Sequence, residues 1–565
     1  MTSTGDGLRS VPGPTRFERA WHVCVFCAFA FSEPLFAALT QQFVYLHDLN
    51  AGWIGIGYVL LVLMVLVPAG WILLDQLAVS VSSRLGGRGR NLILTLLMGL
   101  VWLSFLRPFM RFQVLEFASV VWLVSLMLAT AGALLTMRLY QYSLWVRRWI
   151  SVAALGIVCF PGMFVYHYGS LSRPPDHSLS VSIERPIPVV MVVFDEISGT
   201  TLMNGDLQLD ARNFPQFGRL AEMSTWYRQA STVHTRTIFA IPALLSGQFP
   251  NTNRPPLESE FPGNLLRVIH ATGAYEMTVF EPVTRLCPKE LEHRFRPHRS
   301  RFQKLWLLTQ TLAAVYPRLI FPNDMPIEFP PISRLWFGLP EDLGRTPDKI
   351  TGLYRPDPFM DRAEQLQKFL EHQRASEKPQ FNFMHVELPH VPWHFLPSGR
   401  VYNFDQEHFF HPAGARGEIG EDWGTESFIV ARNEHRYLQQ VRFVDRFVGQ
   451  LLDRLEQIGL LDRCLLIVTA DHGVSFRPGH SRRIPDDANL PDLLSVPLFV
   501  KLPGQVAGRV SDSNIQSVDV LPTIADVLGI TLSEPVDGVP VSQATRGPRK
   551  TLYFDASSSH LVQGR

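Results

Sequence analysis

The chain has 565 residues, and its 52 Lys+Arg against 51 Asp+Glu give a formal net charge of +1, which excludes a mainly electrostatic nucleic-acid binder. Five cysteines exclude a disulfide-dense scaffold. A mean hydropathy of +0.08 is high for a water-soluble chain and low for a full membrane bundle, so the average points to two unlike parts.

Residues 1–172 hold no lysine and eleven arginines against six acids, a net of +5. The rest carries 41 bases and 45 acids, a net of −4. The first part contains five apolar stretches, at 21–40, 52–74, 92–110, 114–137 and 149–166. Each is near the ~20 residues that cross a bilayer as a helix. Buried core helices, or a cleaved leader, fit five successive runs poorly. Arg9, Arg16 and Arg19 precede the first stretch; Arg84, Arg88 and Arg90 sit between the second and third; Arg138, Arg147 and Arg148 sit between the fourth and fifth. The two other loops hold none and two (Arg107, Arg111). The positive-inside rule then places the N-terminus in the cytoplasm, and an odd number of spans places everything after Tyr166 outside. The expectation is an integral protein of a bacterial inner membrane, with the lipid bilayer as its partner. Glu33 lies inside the first stretch, before Pro34. It reads as a functional acid or, more simply, as a carboxyl paired with another span.

A polar linker at 173–187 leads into an α/β domain at 188–545, followed by a tail at 546–565. Short apolar runs at 188–194, 275–281, 381–388, 464–470 and 497–503 suit buried parallel strands. Helical patterns fall between them at 359–373 and 428–459. The second has Val441, Val444, Phe447, Val448, Leu451, Leu452 and Leu455 at helical spacing and Gly459 as its stop. The predicted fold is an N-terminal five-helix transmembrane module plus a mostly parallel sheet sandwiched by helices. The stretch 302–321 combines Trp306, Leu308, Leu312 and Val315 with Lys304 and Arg318. It reads either as a helix on the membrane surface that guides a lipid-linked substrate, or as a core-packed helix. Cys287 and Cys464 are the two cysteines after residue 172, and a bridge between them stays open.

Acids and histidines stand where the strands end, which is where open α/β sheets bind ligands. The first run ends in Asp195-Glu196, the fourth in Asp471-His472-Gly473, and the third leads through Glu387 to His390 and His394. Neighbours on a strand face opposite ways, so Asp471 and His472 can share an ion only in a turn, which Gly473 eases. Asp plus His is a mixed O/N ligand set, favouring Zn²⁺ or Mn²⁺ and tolerable for Ca²⁺.

The ordered segments VVMVVFDE, TIFAIPALLSG, YLQQVRFVDRFVGQLLDRLEQIGLLD, CLLIVTADHG and SVDVLPTIADVLGI resemble the sulfatase branch of the alkaline-phosphatase superfamily over about 188–540. With the preceding spans, the chain also resembles phosphoethanolamine transferases and lipoteichoic-acid synthases, which act on phosphate esters at the outer membrane face. Two registers of that resemblance converge on Thr237 as nucleophile: ten residues before Gly247 and five before Pro242. The segment departs from the sulfatase pattern C/S-x-P-x-R, because Thr237 stands in place of cysteine or serine and Ile241 in place of arginine. Threonine attack on phosphorus is therefore expected over formylglycine chemistry, although an N-cap role for Thr237 is the plainer alternative.

The resemblance further implies that Asp195, Thr237, Asp471 and His472 surround one divalent metal, with Glu196 as the second acid of a pair. It gives His390 a substrate-side role or a second ion, with His394 and His480 nearby. Arg236, Arg477, Arg482 and Arg483 are candidates for an anionic substrate, solvated charge being the alternative for each. Phospholipid or envelope glycan are the candidate substrates, and no nucleic acid is expected. The rival functions are sulfuric ester hydrolysis and a catalytically inactive envelope glycan- or lipid-binding module.

Overall fold

The structure is a computed structural model. It describes residues 12–41, 46, 52–84, 91–110, 118–171, 181–251, 254–292, 300–321, 362–391, 393–401, 423–544, 546–547, 549–555 and 558–563. Arg9, Arg88, Arg90 and Arg111, the 114–117 start of the fourth apolar stretch, residues 173–180 of the linker and 359–361 of a predicted helix lie outside the described residues. The chain divides into two compact units: Met1–Ser172 with His298–Glu341, and Arg173–Pro297 with Asp342–Arg565.

The first unit is helical. Four helices are long and apolar enough to cross a membrane, Arg16–Thr40, Gly52–Ser82, Trp122–Tyr142 and Leu144–Gly169, while the apolar helix Leu92–Leu106 is shorter. Four of the five expected spans thus have the length and composition. π-turns interrupt two of them, at Ala28–Ser32 and Val62–Leu66. Pro34 and Pro68 follow closely; a proline lacks the N–H and crowds the carbonyl a turn earlier, which favours a locally wider turn. Thr15 and Glu18 form a capping box that starts the first helix.

Arg19, read from sequence as a loop charge, is buried and grips Asp75 through Nε (2.5 Å) and Nη2 (2.6 Å). His22 is fully buried between Tyr140 and Ser151, at 3.0 and 2.8 Å. Arg147 is also buried, on Glu18 and the Pro12 carbonyl.

The helix Arg301–Ile320 packs within this unit, although its sequence position falls inside the expected α/β domain. Tyr58 Oη meets Thr309 Oγ1 at 2.7 Å, and Tyr316 Oη donates to the Ala30 carbonyl at 3.0 Å. Leu308, Leu312 and Val315 are buried, while Phe302 and Trp306 are exposed.

The second unit is built on one seven-stranded sheet of order β3-β4-β1-β5-β6-β2-β7. Its strands are β1 Val189–Asp195, β2 Thr225–Tyr227, β3 Glu276–Phe280, β4 Gln380–Pro389, β5 Leu465–Ala470, β6 Leu498–Lys501 and β7 Arg509–Ser511. The five predicted runs became β1, β3, β4, β5 and β6. β2 and β7 are three residues each and partly exposed, too short to leave an apolar run. β3, β4, β1 and β5 are parallel, whereas β6 runs antiparallel to β5. Every residue of β1 and β5 is buried, as strands covered on both faces must be.

The helix Ser427–Gln457 buries Val441, Val444, Phe447, Val448, Leu451, Leu452 and Leu455, the stripe its spacing predicts. It ends before Gly459, whose φ of +64° suits glycine. From this helix Asp445 accepts from the N–H groups of Gln216 and Phe217, capping the short helix Pro215–Ala221. The tail forms a hairpin, β8 Arg549–Asp555 and β9 Ser558–Gln563. Cys287 and Cys464 are both buried and free, so no bridge joins them.

Candidate active site

Sheet register builds the site. Phe194 lies opposite Ala470, and the Asp471 N–H donates to the Phe194 carbonyl at 3.0 Å, so Asp195 and Asp471 leave adjacent strand ends side by side. On the other flank Asp195 falls opposite Pro389, which brings His390 to the same edge. Thr237 opens the helix Thr237–Ser246. Arg236 is the N-cap residue and makes no side-chain cap, so Thr237 is not spent on capping. Its Oγ1 instead lies 3.2 Å from His472 Nε2.

Asp195, Asp471 and His472 form a compact, fully buried group whose ligand atoms lie within 4.8 Å of one another. His472 Nε2 is 3.4 Å from Asp471 Oδ2 and 3.8 Å from Asp195 Oδ1. His472 Nδ1 is 2.9 Å from the Gly473 carbonyl, which can only accept, so Nδ1 carries the proton and neutral His472 turns the Nε2 lone pair toward Thr237. Burial pushes the His472 imidazole down to about 3, and Arg483 adds to this.

Burial, then Asp471, raises the Asp195 carboxyl well above its usual range. Burial also pushes Asp471 up to about 7, against a hydrogen bond from Thr237. Asp195 Oδ1 and Asp471 Oδ2 are buried with no hydrogen-bond partner. Two orphaned carboxylate oxygens beside an imidazole lone pair are the donor set a divalent cation takes. Among the described residues no second group of three such side chains occurs.

Gly473 is required by a close approach of backbone. A Cβ there would fall 2.0 Å from the Asp492 carbonyl oxygen. Glycine lets the chain pass that carbonyl while Asp471 and His472 face the same site.

Glu196 departs from the expectation of a metal ligand and stands outside the compact group. It has a φ of +67°, rare for a side chain with a Cβ. This turn sends its carboxylate to Arg482 and Arg483, with His390 Nε2 at 3.7 Å from Oε1. Burial alone would raise this carboxyl, but Arg482, then His390 and Arg483, hold it well below the usual range. His390 is held by its neighbours: its carbonyl accepts from Arg362 Nη1 and Gln440 Nε2, and its Nδ1 meets the Val391 carbonyl at 2.7 Å. Burial keeps its imidazole well below the ordinary value.

The remaining candidates do not join the group. The His394 ring lies tilted against Phe395, and its backbone N–H donates to Gln440. His480 pairs with Asp486 at 2.8 Å, and the exposed Arg477 pairs with Asp492 at 2.8 Å. The Arg236 side chain is exposed.

The sulfatase family profile matches residues 188–530, more than half of the chain. The chain belongs to the sulfatase family. It is 28% identical over 174 residues to an endo-4-O-sulfatase of Bacteroides thetaiotaomicron, a match covering 29% of this chain and 31% of that protein. It is 29% identical over 136 residues to the choline-sulfatase of Rhizobium meliloti, covering 22% and 24%. The chain thus spans under a third of the length of these curated relatives. Among solved structures it is similar to a phosphonate monoester hydrolase from Silicibacter pomeroyi, with a TM-score of 0.43 and 18% identity over 66% of this chain and 80% of that one.

One buried group of this sulfatase-family chain escaped the sequence reading. His234 is 1% exposed, and its Nδ1 accepts from the Arg236 N–H at 3.0 Å, just ahead of Thr237. Burial pushes its imidazole down to about 3. Its place before the helix carries no motif, and only tertiary burial marks it.

Proposed function

We propose that this chain is a membrane-anchored, metal-dependent sulfatase-family hydrolase or transferase that acts on phosphate esters at the extracytoplasmic face, with Thr237 as nucleophile. The observation that carries the reading is the Thr237 hydroxyl placed against His472 Nε2 and Asp471, inside a buried group suited to a cation. Asp195, Asp471 and His472 would hold the cation, with the Thr237 oxygen beside it. Bound there, Zn²⁺ or Mn²⁺ would lower the hydroxyl pKa and neutralise charge on the phosphoryl oxygens.

The chain's own groups do the rest. With the one lone pair of His472 Nε2 turned to the cation, the Thr237 hydroxyl has the Asp471 carboxylate beside it as proton acceptor. Its oxygen bonds to phosphorus while the ester alcohol leaves. Water, or an acceptor hydroxyl, then breaks the threonine–phosphorus bond; water makes the chain a hydrolase and an acceptor makes it a transferase. His390, at the edge of the site, is suited to passing protons to or from that second group.

Membrane anchoring rests on the four long apolar helices and on their outward side chains: Leu155, Val158 and Met163 are 67, 72 and 70% exposed, a surface that suits lipid. The arginine distribution supports a cytoplasmic N-terminus in a bacterial inner membrane. Reporter fusions after residues 90 and 172 test this, since both reporters on the cytoplasmic side would exclude it.

Sulfate-ester hydrolysis is the second reading, favoured by the family match and by the names of the relatives. Turnover of an aryl sulfate against an aryl phosphodiester, on the purified full-length protein, separates the two. Cleavage of the sulfate alone would replace the phosphoester reading.

A further inference from the structure

We infer that the helix Arg301–Ile320 is a re-entrant membrane helix, which carries the chain from the α/β unit into the bilayer as far as its midplane and presents Trp306 and Ala313 to lipid acyl chains. The inference rests on the reading of the long apolar helices as membrane spans. It adds a membrane contact from within the catalytic half of the sequence.

Contacts with the apolar helices fix its depth. Tyr316 Oη donates to the Ala30 carbonyl at 3.0 Å, and its ring centroid lies 4.8 Å from that of Phe31. Ala30 and Phe31 stand near the middle of Arg16–Thr40. Ile320 packs against Leu103 and Ala129, near the middles of Leu92–Met110 and Ala118–Tyr142. Where those helices cross a bilayer, Tyr316 and Ile320 lie at its midplane. Thr309 meets Tyr58 close to the start of Gly52–Ser82, the end that the arginine distribution places outside. The helix therefore descends from the outer face. Trp306 precedes Tyr316 by ten residues. At about 1.5 Å per residue it lies about 15 Å above the midplane, half of a hydrocarbon core about 30 Å thick. That is the boundary where tryptophan anchors membrane proteins.

The side chains follow this depth. Arg301, Phe302 and Gln303 are exposed in the first turn, whereas from Lys304 to Ile320 the exposed residues are Trp306 and Ala313, both without charge. The deeper polar groups turn inward. Thr309 Oγ1 accepts from Tyr58 Oη and donates to the Leu305 carbonyl at 2.9 Å. Thr311 is buried, and so is Arg318, whose Nη1 donates to the Ala314 carbonyl at 3.1 Å. A charge at such a depth faces the interior of a bundle. These polar residues lower the hydropathy of the segment, so counting apolar runs passes over it.

Tyr316 also serves the span it touches. Ala30 lies in the π-turn Ala28–Ser32, and its carbonyl accepts from Ser104 Oγ at 3.3 Å as well. Backbone groups loosened inside hydrocarbon are satisfied by neighbouring side chains, since water does not reach them. The chain passes from the α/β unit to the helical unit after Pro297 and rejoins it at Asp342. Both junctions belong to one unit, so a segment that enters the bilayer between them leaves on the side it entered.

The test places one nitroxide at a time on the full-length protein in phospholipid vesicles. Cys24→Ser and Cys159→Ser leave only buried cysteines in the background. Ala313→Cys is compared with Val158→Cys on a span and Val506→Cys on the α/β unit, both positions being exposed. Collision with oxygen reports lipid, and collision with a polar nickel chelate reports water. The Ala313 label should match the Val158 label, with nickel collision at least about tenfold below that at Val506, because polar solutes stay out of hydrocarbon. A water-like Ala313 label beside a lipid-like Val158 label overturns the re-entrant helix and leaves the spans standing. A water-like Val158 label overturns the spans themselves, and the helix with them. An Ala313 label that meets neither reagent is covered by protein, a second copy included, and overturns the lipid contact. If Ala313→Cys does not fold, Trp306→Cys decides: a label between the two controls supports the descent, and one as wet as Val506 overturns it.

Discussion

Thr237 Oγ1 lies 3.2 Å from His472 Nε2, although 235 residues separate them in the chain. The contact exists because a helix start and a strand end meet at one edge of the sheet. Thr237→Ala is expected to keep the fold, since the hydroxyl caps no helix, and to lose turnover by at least a thousandfold. Circular dichroism and single-substrate kinetics check this, and Thr237→Ser retaining measurable activity would agree.

Asp195 and Asp471 sit together, buried, each with an oxygen that has no partner. A cation removes their mutual repulsion, so chelation should abolish turnover and lower the melting temperature. Zn²⁺ or Mn²⁺ at about 100-fold excess over Kd should return about 2.7 kcal/mol of stability. Asp471→Asn is expected to lower metal content. A melting curve indifferent to chelator and metal would count against the cation.

Asp445 offers a pH signature outside the metal group. Burial pushes its carboxyl up to about 6, against two backbone hydrogen bonds, so the folded state holds this proton more tightly than the unfolded chain does. The contribution is present below an unfolded value near 3.8 and is lost as pH rises through about 6. Asp445→Asn keeps an acceptor for Gln216 and Phe217 without the charge. Relative to that variant, the wild type should lose stability between pH 4 and 6, as urea unfolding across the range would show. Asp445→Ala should cost about 1 kcal/mol below about pH 4, through the lost cap, and less as pH rises through 6.

Gly473→Ala should be among the most damaging single methyl groups in the α/β unit. The added Cβ meets a backbone carbonyl, which cannot rotate away as a side chain could. A drop of several degrees in melting temperature with lower metal affinity is expected. Wild-type values for both would show that the turn relaxes freely.

In the helical unit, Asp75→Ala leaves buried Arg19 without its bidentate carboxylate, at a cost of about 3–5 kcal/mol. Glu364→Ala, which breaks an exposed pair with Lys368, should cost under about 0.5 kcal/mol. Thermal denaturation in detergent compares the two.

Local pattern carried much of this protein. Apolar runs located β1, β3, β4, β5 and β6 because a strand covered on both faces must be apolar at every position. The stripe in Ser427–Gln457 and its Gly459 stop were legible for the same reason, one face of a helix repeating every few residues. Asp195, Asp471 and His472 were legible as strand-end residues, and resemblance to the family picked out Thr237.

Tertiary structure decided what depends on distant partners. Glu196 reads in sequence as the twin of Asp195, yet a left-handed turn and two arginines 286 and 287 residues away commit it to another task. Arg19 reads as a loop charge until Asp75 closes on it. Arg301–Ile320 reads as an element of the α/β domain or of a membrane surface, and it packs on the apolar helices. Periodicity records which face of an element is covered. It does not record which charge covers it, because hydrogen bonds and ion pairs form between atoms that only the folded chain brings together.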